Sequence, residues 1–141
     1  MNRRATVEEL IHVTAGVIAR GGRVLVCQRP PGGHHPDKWE FPGGKLEPGE
    51  DLAACMRREL AEELDIEATV GPVLWETHHQ YPNRNPIELT FFLIPQYERV
   101  IANRVFAAIA WLPLADLPSV DFLDGDREFV AQLASGRVRL A

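Results

Sequence analysis

Cysteine is scarce in this chain of 141 residues: Cys27 and Cys55 stand far apart and form no CxxC pair. That leaves no disulfide framework and no cysteine half-site for zinc. Both lie in apolar stretches, where a thiol acts as a small hydrophobe. No apolar run reaches the roughly 18 residues of a membrane-crossing helix. The start, Met1-Asn2-Arg3-Arg4, lacks the apolar core of a secretory signal, so a cytoplasmic protein without membrane contact is expected. Surplus positive charge is missing too. The chain has 15 Lys and Arg against 20 Asp and Glu, a net charge of −5, which argues against a grip on nucleic acid polymers. A free nucleotide arriving with its metal ion remains compatible. Repeats and low-complexity linkers are absent, so residues 1–141 read as one domain long enough to bury a core.

What the chain has is a cluster of acids behind a glycine-rich loop. Glu59, Glu62 and Glu63 fall in a stretch with helical spacing, where positions one, four and five lie within roughly 100° of each other, so their carboxylates are expected to converge. Such like charges repel by a few tenths of a kcal/mol per pair. A hard divalent cation seated over them would explain the arrangement, Mg²⁺ first and Mn²⁺ as the alternative. Ala53, Met56, Leu60 and Leu64 form a separate apolar stripe that anchors the helix. Arg58, one residue before Glu59 and four before Glu62, is placed to orient a carboxylate. Glu50 and Asp51 are expected in the first turn, at the positive end of the helix dipole. Ahead of them, Phe41-Pro42-Gly43-Gly44-Lys45 is a sharp loop whose glycines let backbone approach a ligand. The ordinary alternative for a Glu-rich helix is a solvated acidic face, and the fixed offsets of the loop, Glu50 and Arg58 weigh against it.

The remaining pattern alternates strands and helices. Strands are expected over residues 12–20 and 23–29 around the Gly21-Gly22 turn, then a loop from Pro30 to Lys38. After the acidic helix come strands at 68–70 and 73–81, broken by Gly71-Pro72. Further strands at 87–97 and 107–111 follow, with a closing helix over 126–133. Interleaving of this kind favours a single α/β sandwich. The pairs His34-His35 and His78-His79 do not make natural zinc clamps, because neighbours on a strand point to opposite faces.

Gly44, Glu50, Arg58, Glu59, Leu60, Glu62, Glu63 and Ile66 stand in register with the signature of the Nudix hydrolases, and the chain resembles that family. Asp65 replaces the signature's late glycine; a left-handed helix end is expected there, which Asp tolerates less well than Gly. The resemblance runs over roughly residues 12–133. Val24 to Arg29, Trp39 to Gly44 and Ala110-Trp111-Leu112 look like the MutT-type branch, which includes 8-oxo-dGTP diphosphatases and CTP pyrophosphohydrolases. It implies an α/β Nudix fold, a mixed β-sheet sandwiched between α-helices.

The resemblance also implies a Mg²⁺-dependent enzyme that splits oxidised or non-standard nucleoside triphosphates into a nucleoside monophosphate and pyrophosphate. Metal ligands would be Glu59, Glu62, Glu63 and the Gly44 carbonyl. Glu59, or else Glu50, would take the proton of the attacking water, with Arg58 in support. Arg29 aligns with a phosphate-contacting arginine, the plain alternative being an exposed strand-end Arg. Lys45, Trp39 and Phe41 are further substrate candidates, the aromatics as surface for a base with a core role for one of them equally open. Asp126 falls where relatives read the base edge; the plain alternative is a helix-start acid. Relatives often carry another acid about six residues before the tryptophan. Val105 stands there, and no carboxylate lies between Glu98 and Trp111. This keeps open a weakly catalytic or noncatalytic nucleotide-binding module, or a hydrolase of nucleoside diphosphate derivatives such as ADP-ribose. Monomer and homodimer are both compatible.

Overall fold

The computed structural model describes residues 9–140; the Met1-Asn2-Arg3-Arg4 start lies outside them. Strand β1 (Ile11–Arg20) turns through Gly21-Gly22 into β2 (Arg23–Gln28). Two short strands, β3 (Trp39–Glu40) and β4 (Gly43–Lys45), precede helix α1 (Leu52–Leu64). Then come β5 (Glu67–Thr69), β6 (Val73–His79), β7 (Ile87–Ile94), β8 (Gln96–Glu98) and β9 (Ala108–Pro113). Two 3₁₀ turns lead into α2 (Arg127–Ala134). The chain is a mixed α/β fold in which β1 is the axis of the main sheet. Its N-terminal half pairs antiparallel with β4, its tip pairs antiparallel with β2, and its residues 11–18 run parallel to β7. β9 and β3 extend the sheet beyond β2, β6 extends it beyond β7, and β5 and β8 form a separate two-stranded ribbon.

Alternation along the strands sends side chains to two cores. Ala15, Val17, Val24, Val26, Leu89 and Phe91 pack towards α2, against Phe129, Val130 and Leu133. Ile18, Leu25, Cys27, Phe92 and Ile94 pack towards α1, against Met56, Leu60 and Leu64. Burying each of those helix side chains contributes about 1.5–3 kcal/mol. The two cores hold the sheet between the helices, and among the described residues no helix is long and apolar enough to cross a membrane.

Several local expectations are corrected. The stripe of α1 uses Cys55, fully buried, where Ala53 is only half-buried. Asp51 is the N-cap rather than a first-turn residue, accepting the Ala54 amide at 2.8 Å, and Glu50 stays in the preceding loop. The strand expected over 87–97 is interrupted at Pro95, which has no amide for the ladder, so β8 leaves to pair with β5. The glycine loop is partly strand, since Gly43 and Gly44 pair with Ala15 and Thr14. Asp65 does end α1 in the left-handed region, at φ 60° and ψ 33°. The cost of about 1 kcal/mol is offset by Arg99 and Arg104, 3.2 and 2.9 Å from its carboxylate.

Candidate active site

Arg58 is the hub of the acidic face. Its Nη2 lies 2.7 Å and its Nε 3.0 Å from the two oxygens of Glu50. Its Nη1 donates to Glu59 at 3.0 Å and to Glu62 at 3.2 Å, and Nη2 also donates to the Lys45 carbonyl at 3.0 Å. The helix rise brings residues 58, 59 and 62 to one side, and the Asp51 cap fixes where the loop bearing Glu50 enters. The hydrogen bonds from Arg58 and from the Glu47 amide hold the Glu50 carboxyl down at about 2.

Glu63 turns the other way, and its Oε1 accepts the Gly43 amide at 3.0 Å. Burial first, then the charges of Glu59 and Glu40, push its carboxyl up to about 9. Burial also raises Glu59, against the pull of Arg58. The convergence expected from helix geometry is therefore not the conformation described. Glu59 and Glu62 lean on Arg58, Glu63 leans on a backbone amide, and no three acidic, His or Cys side chains among the described residues stand together in a metal-holding group. The donor set itself fits a hard divalent cation. It is all carboxylate oxygen on one helix face, with the Gly44 carbonyl beside it.

Gly44 lies directly under Glu59: a Cβ there would fall 1.9 Å from Glu59 Oε2. Its carbonyl accepts the Thr14 hydroxyl at 3.3 Å and the Cys55 thiol at 3.6 Å, both weak contacts. Both cysteines are buried and free.

A cavity of about 510 Å³ opens beside this face. Gly43, Gly44, Lys45 and Glu63 line it from β4 and α1, and Phe41, Leu123 and Asp126 line it from the α2 side. Lys45 is exposed. Phe41 is 3% exposed and stacks on Phe122 at 5.5 Å, so most of its ring is core and only part faces the cavity. Trp39 is not in the cavity wall. It packs on the α2-side core, with its backbone bonded to Asp121 and Leu123, because adjacent residues of β3 point to opposite faces.

The same alternation turns Glu40 into the cavity, and the sequence reading missed it. Glu40 takes Arg29 Nη1 on both oxygens at 3.2 Å, while Arg29 Nε donates to the His34 carbonyl at 3.0 Å. Arg29 reaches the cavity wall already committed to protein partners. Asp126, 4% exposed, makes no helix-cap hydrogen bond. Burial and, after it, the charge of Glu40 raise its carboxyl well above the usual range, while the Phe41 amide pulls it back. His35, Tyr81 and Arg84 complete the wall from two loops far apart in sequence, a meeting that no local pattern signals. Val105 is exposed, as are its neighbours Asn103 and Arg104. This loop closes the end of α1 through the Ala102 and Arg104 amides on the Leu64 and Glu63 carbonyls.

A family model described as NUDIX domain matches residues 10–133. The CTP pyrophosphohydrolase of Escherichia coli (strain K12) is 36% identical over 103 residues, 73% of this chain and 76% of that protein. An 8-oxo-dGTP diphosphatase of Proteus vulgaris is 38% identical over 95 residues, 67% of this chain and 84% of that protein. The solution structure of the E. coli ORF135 protein superimposes with a TM-score of 0.82 at 30% identity, covering 92% of each chain.

Proposed function

Since this chain belongs to the NUDIX domain family of hydrolases, we propose that it is a Mg²⁺- or Mn²⁺-dependent pyrophosphohydrolase of nucleoside triphosphates. Its substrates would include oxidised or otherwise non-standard bases, and its products would be a nucleoside monophosphate and pyrophosphate. The observation that carries this is the continuity of the acidic helix face with the cavity. Glu63, Gly43 and Gly44 share one wall system with Asp126 and Phe41, which supports a polyphosphate and a base belonging to one ligand. The named activities of the relatives, CTP pyrophosphohydrolase and 8-oxo-dGTP diphosphatase, agree with that size and chemistry.

Glu59, Glu62 and Glu63 would hold the cation, with the weakly engaged Gly44 carbonyl as a further oxygen. A bound divalent ion supplies neutralisation of the phosphate oxygens, without which a nucleophile is repelled. Glu59 is the better general base of the two candidates. Both Glu50 oxygens are taken by Arg58 at 2.7 and 3.0 Å, whereas Glu59 gives Arg58 one oxygen and holds the other over Gly44 at the cavity wall. Arg58 keeps Glu50 and Glu59 in position. Lys45, exposed at the cavity wall, meets the phosphates electrostatically. Asp126 and Glu40 face the base edge, where carboxyl groups accept from a ring N–H or an exocyclic amine. Phe41 contributes apolar surface. Residues 1–141 would act as one domain.

The test is a panel of normal and oxidised dNTPs and NTPs with Mg²⁺ or Mn²⁺, following pyrophosphate against phosphate release. Pyrophosphate release abolished by Glu62→Gln supports the reading. Turnover confined to nucleoside diphosphate derivatives overturns the substrate class, and tight metal-dependent binding without release supports the noncatalytic alternative.

A further inference from the structure

Tyr81 joins two parts of the cavity that the chain separates by more than forty residues. Its hydroxyl oxygen accepts the Gly125 amide at 2.9 Å, and the next residue is Asp126. The ring is packed between His35 and His79, with centroids at 4.4 and 4.3 Å. Gly125 fits the hydroxyl closely, since a Cβ there would stand 3.0 Å from that oxygen. The turn carrying Asp126 has few other anchors. Leu123 bonds back to the Trp39 carbonyl at 2.9 Å, and the Asp126 amide bonds to Leu123 at 3.0 Å. Neither the 3₁₀ turn nor the start of α2 has a side-chain cap. Three ties therefore hold the turn from outside: Leu123 to β3, the Asp126 carboxyl to the Phe41 amide, and Gly125 to Tyr81, the only one of them whose outside partner is a side chain.

We propose that Tyr81 is a positioning residue for Asp126: by accepting the Gly125 amide it sets the depth and direction at which the Asp126 carboxyl meets the nucleobase. This rests on the base-edge reading of Asp126 given above. The phenol is suited to the role. Burial and the charges of Asp126, Asp124 and Glu40 push its hydroxyl up to about 12, so it remains neutral, and a hydroxyl that accepts one amide keeps its own proton to donate into the cavity. A phenylalanine would retain the packing between the two histidines and leave the Gly125 amide without its acceptor, which frees the turn to move.

The experiment measures kcat/KM for guanine against cytosine triphosphates in the wild type, Tyr81→Phe, Asp126→Asn and the double variant, with thermal unfolding as a check on folding. The ratio is expected to move about three- to tenfold in Tyr81→Phe, in the same direction as in Asp126→Asn, from the loss of one positioned hydrogen bond. The double variant should match Asp126→Asn alone, because the two residues act through one group. If Asp126→Asn moves the ratio and Tyr81→Phe does not, or if the two effects multiply, the proposal is overturned and the base-edge reading stands. If Asp126→Asn leaves the ratio unchanged, the base-edge reading falls and takes the proposal with it. Should Tyr81→Phe not fold, Gly125→Ala, whose methyl displaces the same oxygen, is read by the same ratio.

Discussion

Arg58 meets both carboxylate oxygens of Glu50, at 2.7 and 3.0 Å, and this paired contact ties the loop ahead of α1 to the helix face that bears Glu59 and Glu62. The same guanidinium serves all three acids and the Lys45 carbonyl. It is the counter-charge that lets the acids share one face.

That contact sets an acid limit on the fold. The Glu50 carboxyl falls from 4.5 to about 2. A depressed acid contributes stability that is present above its unfolded value and is lost as the pH falls through the folded one. The window is thus pH 4.5 down to about 2. Glu50→Gln is expected to lower stability at pH 7 and to flatten its decline across that window, measured by urea unfolding at a series of pH values. A decline as steep as in the wild type would mean that other carboxyls carry the acid transition.

Glu63 has the opposite sign. Its carboxyl rises from 4.5 to about 9, so the fold favours the neutral form. The group's contribution is fully present below pH 4.5 and is lost as the pH climbs to about 9. Glu63→Gln, neutral at every pH, is expected to melt about 4 °C or more above the wild type at pH 8 in the presence of EDTA, while its Mg²⁺-dependent turnover disappears. Stability given up at a functional acid is a recognised trade. A variant that melts at the wild-type temperature would mean that Glu63 is not strained by its neighbours.

Much of this was legible in the residues, for identifiable reasons. The apolar period of Met56, Leu60 and Leu64 and the alternation in β1 and β2 follow from burial against one sheet, and they read directly from sequence. So did the left-handed end at Asp65 and the grip of Arg58 on its neighbours, which are contacts within one helical turn or across its end. Glu40 was not legible, because the face of a two-residue strand is set by its partner in β2 and not by its own pattern. Nor were Tyr81, His35 and Arg84, which reach the cavity from separate loops. Trp39 stayed open between ligand surface and core for the same reason: an aromatic beside a glycine loop suits either until the strand register turns it into the core.

Gly43 and Gly44 should separate structure from chemistry. A Cβ on Gly43 would fall 1.9 Å from the Thr14 carbonyl oxygen, which is backbone of β1 and cannot yield, so Gly43→Ala is expected to lose several kcal/mol of stability or fail to fold. A Cβ on Gly44 would meet the Glu59 carboxylate at the same distance, and a side chain can swing aside. Gly44→Ala should keep the fold, with a circular dichroism spectrum like the wild type, and lose at least about tenfold in kcat as Glu59 is displaced. Equal damage to stability from both variants would remove Glu59 from its assigned place over Gly44.

Arg29 stands at the cavity wall with protein partners on its guanidinium and its amide. It holds Glu40 at 3.2 Å, the His34 carbonyl at 3.0 Å, and through its amide the Lys38 carbonyl at 2.8 Å, so it staples the loop between β2 and β3 to the cavity. Removing the guanidinium leaves Glu40, already raised by burial, with no cation. Arg29→Ala should cost about 1–2 kcal/mol, since the pair is partly exposed and solvent screens it. Adding Glu40→Gln should recover part of that loss, because the stranded charge goes with it. Amide exchange in residues 30–38 should quicken in Arg29→Ala as the staple opens. If stability and exchange stay at wild-type values while KM rises for every triphosphate regardless of base, the arginine belongs to the phosphates after all.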